Sequence, residues 1–226
     1  MLQSKYASSR MNLLLVVGFT VINIFLLVTN KNRAKFVNVC LVLMISGGIG
    51  NIIDRIRLGY VIDFIEPTFV NFAVFNFADC LVTCAAIVII ISQIYQSIRD
   101  AKKNKEEYRL KNEKFMEDIA QADGVKSLRG GVMYKILEDG QGGGTVGPRS
   151  IVTCHYKGSL INGKVFDNSF NRSCPEAFRV NELISGFQIA LVNMHIGDHW
   201  EVYIPSHLGY GSKSTGPIPG DSALIF

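Results

Sequence analysis

The stretch FNFADCLVTCAAIVIIISQIYQSIRDAKKNK (residues 75–105) runs uncharged from Cys80 to Tyr95 and then turns abruptly into Arg99, Lys102, Lys103 and Lys105. An apolar run of that kind is near the length a helix needs to cross about 30 Å of hydrocarbon. Two earlier runs, Met11 to Thr29 and Phe36 to Ile53, read the same way. Lys5 and Arg10 precede the first, as in a secretory leader, but Val28-Thr29-Asn30-Lys31 offers no small-x-small cleavage site, so a retained span is expected.

The chain has 226 residues, a net charge of +4 and 48% hydrophobic residues, with the apolar content concentrated before Arg99. After Arg99 the sequence is charged or alternating and rich in turn residues, as a domain in water would be. Five cysteines make an odd count with no disulfide framework or zinc spacing, so reduced thiols and no metal are expected. Cys40, Cys80 and Cys84 sit inside apolar spans as small hydrophobes. Cys154 and Cys174 pair only if the fold brings them together.

Three spans put the N-terminus and the Arg55–Phe77 loop on one face and residues 30–35 plus the segment after Tyr95 on the other. The first face carries Lys5, Arg10, Arg55 and Arg57; the second carries Lys31, Arg33, Lys35, Arg99, Lys102, Lys103 and Lys105. The richer face is predicted to be cytoplasmic. Asp63 and Asp79 then share the outer interface, where two neighbouring carboxylates cannot both ionise cheaply. One would hold a proton and polarise a peptide carbonyl while the other activates water, which is aspartic protease chemistry. From the two acids alone, solvated caps or partners of a nearby Arg explain them as well.

The words around the acids are more specific. Gly47-Gly48-Ile49-Gly50-Asn51-Ile52-Ile53-Asp54-Arg55, Gly59-Tyr60-Val61-Ile62-Asp63-Phe64-Ile65 and Phe75-Asn76-Phe77-Ala78-Asp79 together resemble the lipoprotein signal peptidase family. The resemblance covers roughly Met11 to Gln96. It implies that Asp63 and Asp79 form the catalytic dyad, that Asn51 and Asn76 are polar supports, and that Asp54 and Arg55 pair at the end of the second span. Substrates would be lipid-modified prolipoproteins. The family has four spans, and its first span and the polar motif after it have no counterpart here, so a peptidase truncated at its front is expected. Gly47, Gly48 and Gly50 read as sites of close helix approach.

From Arg99 to Ala120 charge is dense, Glu107 and Lys111 are spaced as a helical pair, and Tyr108, Phe115 and Ile119 recur at near-helical intervals. An exposed, weakly amphipathic helix is predicted, its basic start able to touch anionic lipid headgroups. Gly140–Gly144 lacks a phosphate-loop ending and reads as a turn, and no basic patch interleaved with aromatics suggests nucleic acid.

Beyond Gly131, strand-like runs appear at Val132–Glu138, Ile151–Leu160, Lys164–Asp167, Phe178–Asn181 and Trp200–Pro205, with one short helix at Phe187–Met194. Cys154-His155-Tyr156-Lys157-Gly158, Gly163-Lys164-Val165-Phe166-Asp167-Asn168-Ser169 and Ile204-Pro205-Ser206-His207-Leu208-Gly209-Tyr210-Gly211 are similar to the FK506-binding family of peptidyl-prolyl isomerases. The resemblance covers about Gly131 to Phe226. It implies a proline pocket lined by Tyr156, Phe166, Asp167, Leu183, Ile184, Phe187, Tyr210, Ile218 and Phe226, with Phe187 where the family often has Trp. Such a pocket would act on X-Pro polypeptides without a cofactor. The stop at Phe226 is expected to leave a sheet edge unpaired.

The expected architecture is therefore an α-helical transmembrane bundle of three spans (1–98), a charged helical linker (99–130) and a small α+β domain (131–226) with a curved antiparallel sheet packed on one short helix. The expected function is a membrane-anchored isomerase joined to a signal peptidase core in the bacterial cytoplasmic membrane, with the isomerase in the cytoplasm. Two alternatives remain: a catalytically incomplete, membrane-tethered proline-peptide binder or holdase, and a truncated joined gene product.

Overall fold

The computed structural model describes residues 2–29, 35–68, 74–172 and 174–226, with side chains from residue 13 onward. Lys31 and Arg33, two of the cations used for orientation, lie outside the described residues. The chain forms two compact units, Met1–Asp100 and Ala101–Phe226.

The first unit holds helices α1 (Leu2–Thr29), α2 (Lys35–Leu58) and the start of α3 (Phe77–Ala120). Among the described residues, α2 and α3 are long and apolar enough to cross a membrane, with mean hydropathies of 2.0 and 2.2 over their most apolar windows. Where the third span is expected, α1 is helical over Leu2–Thr29, and its part with described side chains, Leu13–Thr29, is an apolar helix. Ala85 packs with Cys40 and Met44 of α2, but most of the apolar surface of α3 is not a protein core, because Ile87, Ile90, Ile91, Ile94 and Ile98 are each at least half exposed. So continuous an apolar surface suits lipid rather than water.

Small residues bring these helices together. A Cβ on Gly47 would stand 2.6 Å from the Ala78 carbonyl oxygen, and one on Gly48 would run into the buried Thr20 hydroxyl. Gly50 leaves ordinary room beside Ala78, so its smallness is not demanded in the same way. Helix α2 stops at Gly59, which takes a φ of 78° and donates its N–H to the Arg55 carbonyl.

The second unit contains β1 (Val125–Ser127), β2 (Met133–Glu138), β3 (Ile151–Cys154), β4 (Lys157–Leu160), β5 (Val165–Asn168), β6 (Glu176–Arg179), α4 (Ser185–Leu191), β7 (His199–Ile204) and β8 (Leu224–Ile225). Six strands form one antiparallel sheet in the order β1-β2-β7-β8-β4-β5, and β3 pairs with β6 apart from it. The run expected as one strand from Ile151 to Leu160 breaks at His155-Tyr156, so that β3 and β4 serve different sheets. Val125–Ser127 is an added edge strand that its short, polar sequence did not announce.

Val132, Leu160, Val180, Ile204 and Leu224 are almost fully buried at the centre of the core, and α4 covers it. Gly186 lets α4 sit tight, since a Cβ there would run into Ile204. The expectation of an unpaired edge at the end of the sheet is corrected: β8 lies inside, between β7 and β4, and Phe226 exchanges two 2.9 Å hydrogen bonds with Val202. Burial of Leu224 on the core side explains why two residues suffice to hold that place.

The glycine-rich run crosses close to another loop. Gly140 donates its N–H to Asp198 at 2.8 Å, and Gly143 lies so near the Ile196 carbonyl that a side chain would not fit.

Candidate functional sites

In the first unit a short bridge does the positioning. Ile65 and Phe75 exchange backbone hydrogen bonds of 2.9 and 3.1 Å, which brings Asp63 beside Asn76 at the foot of α3. Asn76 is buried and donates Nδ2–H to Asp63 Oδ1 at 3.1 Å and to Asn51 Oδ1 at 3.0 Å. Asn51, also buried, donates to Asp79 Oδ1 at 2.8 Å. The Asn76 side-chain oxygen in turn accepts the Asp79 N–H at 3.0 Å and so caps α3. Four residues from three segments of the chain thus form one hydrogen-bonded cluster, with an exposed Asp63 on one side and a half-buried Asp79 on the other.

One expected pairing is not formed. Asp54 and Arg55 make no ion pair with each other; Arg55 folds back along α2 and donates Nη1–H to the Asn51 carbonyl oxygen at 3.0 Å. Adjacent helical residues point in different directions, which disfavours such a pair. Arg55 instead reaches back one turn to a carbonyl inside the helix and steadies Asn51.

The second unit has a pocket of about 330 Å³ lined by Tyr156, Phe166, Asp167, Phe178, Glu182, Leu183, Ile184, Phe187, Tyr210 and Phe226. Eight of these were expected from the sequence. Ile218, the ninth expected residue, is corrected: it lies in the core, 4% exposed, drawn inward by the paired hydrogen bonds between Thr215 and Ile218. Phe178 and Glu182 were missed, although alternation along β6 would place Phe178 on the inner face.

The floor is a cluster of rings. Phe187 and Phe226 lie 4.8 Å apart, Phe166 meets Phe226 edge-on at 5.7 Å, and Tyr156 meets Phe178 edge-on at 5.4 Å. Gly158 makes the packing possible, because a Cβ there would stand 2.5 Å from Phe166 and 3.0 Å from Phe226. Buried Ser169 fixes the Tyr156 backbone: its hydroxyl accepts the Tyr156 N–H at 2.8 Å and donates back to the Tyr156 carbonyl at 3.1 Å.

Polar groups occupy the rim. Tyr156 donates its phenol to Asp167 Oδ2 in a short hydrogen bond, and Arg172 donates to Asp167 Oδ1 and to the Tyr156 oxygen, both at 2.7 Å. Arg172 also pairs with Glu176. Burial pushes the Tyr156 phenol well above its ordinary value, and the hydrogen bond to Asp167 adds to this. For Asp167, burial raises the carboxyl, but the hydrogen bonds from Tyr156 and Arg172 outweigh it and hold the group below its ordinary range. Burial and then the charge of Asp167 raise Tyr210, so its phenol keeps its proton at neutral pH and can donate.

Because Asp167 is depressed in the folded state, its contribution to stability is complete above the ordinary value of 3.8 and is lost as pH falls through the lower folded-state value. The sole tryptophan, Trp200, is stacked on Tyr134 and reports unfolding of this unit. Stability to urea, followed by Trp200 fluorescence, is expected to fall as pH drops from about 3.8 downward, and Asp167→Asn is expected to flatten part of that loss. An unchanged pH profile in the variant would contradict the assigned partners.

Residues 143–226 match the family model for FKBP-type peptidyl-prolyl cis-trans isomerase, and residues 1–95 match that for signal peptidase (SPase) II. The chain is 44% identical over 104 residues to the peptidyl-prolyl cis-trans isomerase Mip of Coxiella burnetii, covering 46% of this chain and 45% of that protein. It is 40% identical over 115 residues to the FKBP-type 22 kDa peptidyl-prolyl cis-trans isomerase of Escherichia coli K12, covering 50% and 55%. The chain spans about half the length of the curated relatives it matches. Among solved structures, a peptidyl-prolyl cis-trans isomerase of Pseudomonas syringae pv. tomato is 33% identical with a TM-score of 0.50, covering 53% of this chain and 88% of that one. FkpA of Escherichia coli is 30% identical with a TM-score of 0.54, covering 62% and 66%. A ring-floored pocket thus lies in the part of the chain that matches the FKBP-type peptidyl-prolyl cis-trans isomerase model, and a four-residue acid–amide cluster lies in the part that matches the signal peptidase II model.

Proposed function

We propose that the chain is a membrane-anchored peptidyl-prolyl cis-trans isomerase joined to a lipoprotein signal peptidase core. The observation that carries the isomerase reading is the apolar pocket with a protonated Tyr210 at its rim. Rotation about an X-Pro bond passes through a twisted amide that has lost resonance and is less polar than the planar form. A floor of Phe187, Phe226 and Phe166 favours the prolyl ring in a dry environment, and Tyr210 donates to a substrate carbonyl. Asp167 is already occupied by Tyr156 and Arg172, so its role is to orient Tyr156. The site therefore works by binding the twisted state better than the planar one, with no covalent step.

In the first half, Asp63 and Asp79 are the proposed dyad, with Asn51 and Asn76 holding them in register and Arg55 supporting Asn51. A half-buried Asp79, tied to two amides, suits the carboxylate that is fixed in place, while exposed Asp63 meets water. The membrane domain occupies residues 1–98 with three spans, α1 included, residues 99–130 connect it onward, and the isomerase domain occupies 131–226. The cations after Tyr95 support a cytoplasmic position of that domain in a bacterium. Substrates are X-Pro polypeptides for one site and lipid-modified prolipoproteins for the other.

Full-length chain in detergent is expected to accelerate cis–trans exchange of an X-Pro peptide. Tyr210→Phe and Phe166→Ala are expected to lower kcat/KM about tenfold or more, a loss of about 1.4 kcal/mol of transition-state binding per tenfold. Binding of the peptide without acceleration would favour a proline-peptide binder instead.

For the peptidase, a lipid-modified precursor is expected to be cut by the wild type and left intact by Asp63→Asn and Asp79→Asn. Cleavage that survives either substitution would remove the dyad.

A further inference from the structure

Helix α3 carries Lys105, Tyr108, Asn112 and Phe115 at spacings of three, four and three, which puts them on one face. The sequence suggested an exposed helix here, yet Asn112 is only 3% exposed. Its Nδ2–H donates to the Tyr108 carbonyl at 2.8 Å, and its Oδ1 accepts the N–H of Ala223 at 2.8 Å. Around it, the Tyr108 hydroxyl shares a 2.8 Å hydrogen bond with Ser222, Lys105 lies 3.8 Å from Asp221, and Phe115 meets Tyr203 edge-on.

The segment gripped in this way leads directly into the pocket. Cross-strand pairing of β8 begins only at Leu224, opposite Leu160 and Ile204, so Ala223 has no strand partner for its N–H. Asn112 supplies that partner from outside the sheet. Three residues later Phe226 forms part of the pocket floor. In the other direction, Asp221 donates its N–H to the Gly211 carbonyl at 2.8 Å, next to Tyr210. Asp221 holds a φ of 63°, a conformation that needs support from its surroundings. Phe226 and Tyr210, both lining one cavity, are thus tied to a single short segment.

We infer that Asn112 is a positioning residue for the proline pocket: by holding Ala223 it sets the spacing between Phe226 and Tyr210. This rests on the isomerase reading of the pocket. A planar X-Pro peptide tolerates some slack between those walls, whereas a twisted amide must be met at its ring and its carbonyl together. Loosening the segment therefore acts on turnover more than on substrate binding.

The test compares full-length wild type, Asn112→Ala and Asn112→Asp in detergent, by X-Pro kinetics and by amide hydrogen exchange in the same samples. Asn112→Ala is expected to lower kcat about tenfold with KM changed less than about twofold. Exchange is expected to quicken at Asp221–Phe226 and not in β2. Asn112→Asp keeps the acceptor for Ala223 and is expected to restore most of the turnover. Uniformly faster exchange, a parallel change in stability without the local signature, or unaltered kinetics in a folded Asn112→Ala would overturn the inference. Should Asn112→Ala not fold, Tyr108→Phe removes a neighbouring tie without opening a cavity; it is expected to quicken exchange at Ser222 and Ala223 and lower kcat about twofold, and no local change would overturn the inference. A wild type that binds the peptide but does not turn it over fails at the isomerase reading itself, which separates the two failures.

Discussion

Insertion of Leu224–Phe226 between β7 and β4 is the contact on which the second unit depends. Those three residues complete a six-stranded sheet, bury Leu224 in the core and set Phe226 in the pocket floor. Two cross-strand partners on each side are few for a strand that carries so much. The surroundings make up the difference: Val202 takes both backbone groups of Phe226, and Asn112 takes the N–H just ahead of the strand. Gly158 beneath the rings and Gly186 beneath α4 then leave the space into which this packing closes.

A different economy governs the acid cluster. No sheet holds Asp63 near Asp79; a single bridge between Ile65 and Phe75 and two buried asparagines do so. Asparagine suits the task because one amide can donate and accept at once, linking two carboxylates without neutralising either. Beside an apolar helix surface such a satisfied polar cluster is far cheaper than two isolated charges.

Much of this was legible in sequence where period and composition speak. The apolar-to-basic switch at Arg99 falls inside the unbroken helix α3, and the strand-like runs gave β2, β5, β6 and β7 to within a residue or two while merging β3 with β4. Eight of nine expected pocket residues line the cavity because a motif fixes them in register. Ile218, given only by the resemblance, lies in the core beside a local turn with Thr215. Arg172 and Glu176 escaped notice because exposed charges are common, and only the fold brings them to Tyr156. The buried face of α3 was hidden for a related reason: Lys105, Tyr108 and Asn112 have little hydrophobic signal, and their burial rests on hydrogen bonds that no hydropathy pattern carries. The Asp54–Arg55 pairing came with the resemblance, and adjacency on a helix separates the two side chains.

The central claim is that the ring-floored pocket speeds X-Pro rotation. Exchange spectroscopy by NMR on an X-Pro peptide, with a trace of the full-length chain in detergent, measures this without a coupled enzyme. The account predicts cis–trans exchange cross-peaks that appear with wild type and vanish with Phe226→Ala. Exchange as slow as in buffer with folded wild type, or undiminished in Phe226→Ala, would contradict it.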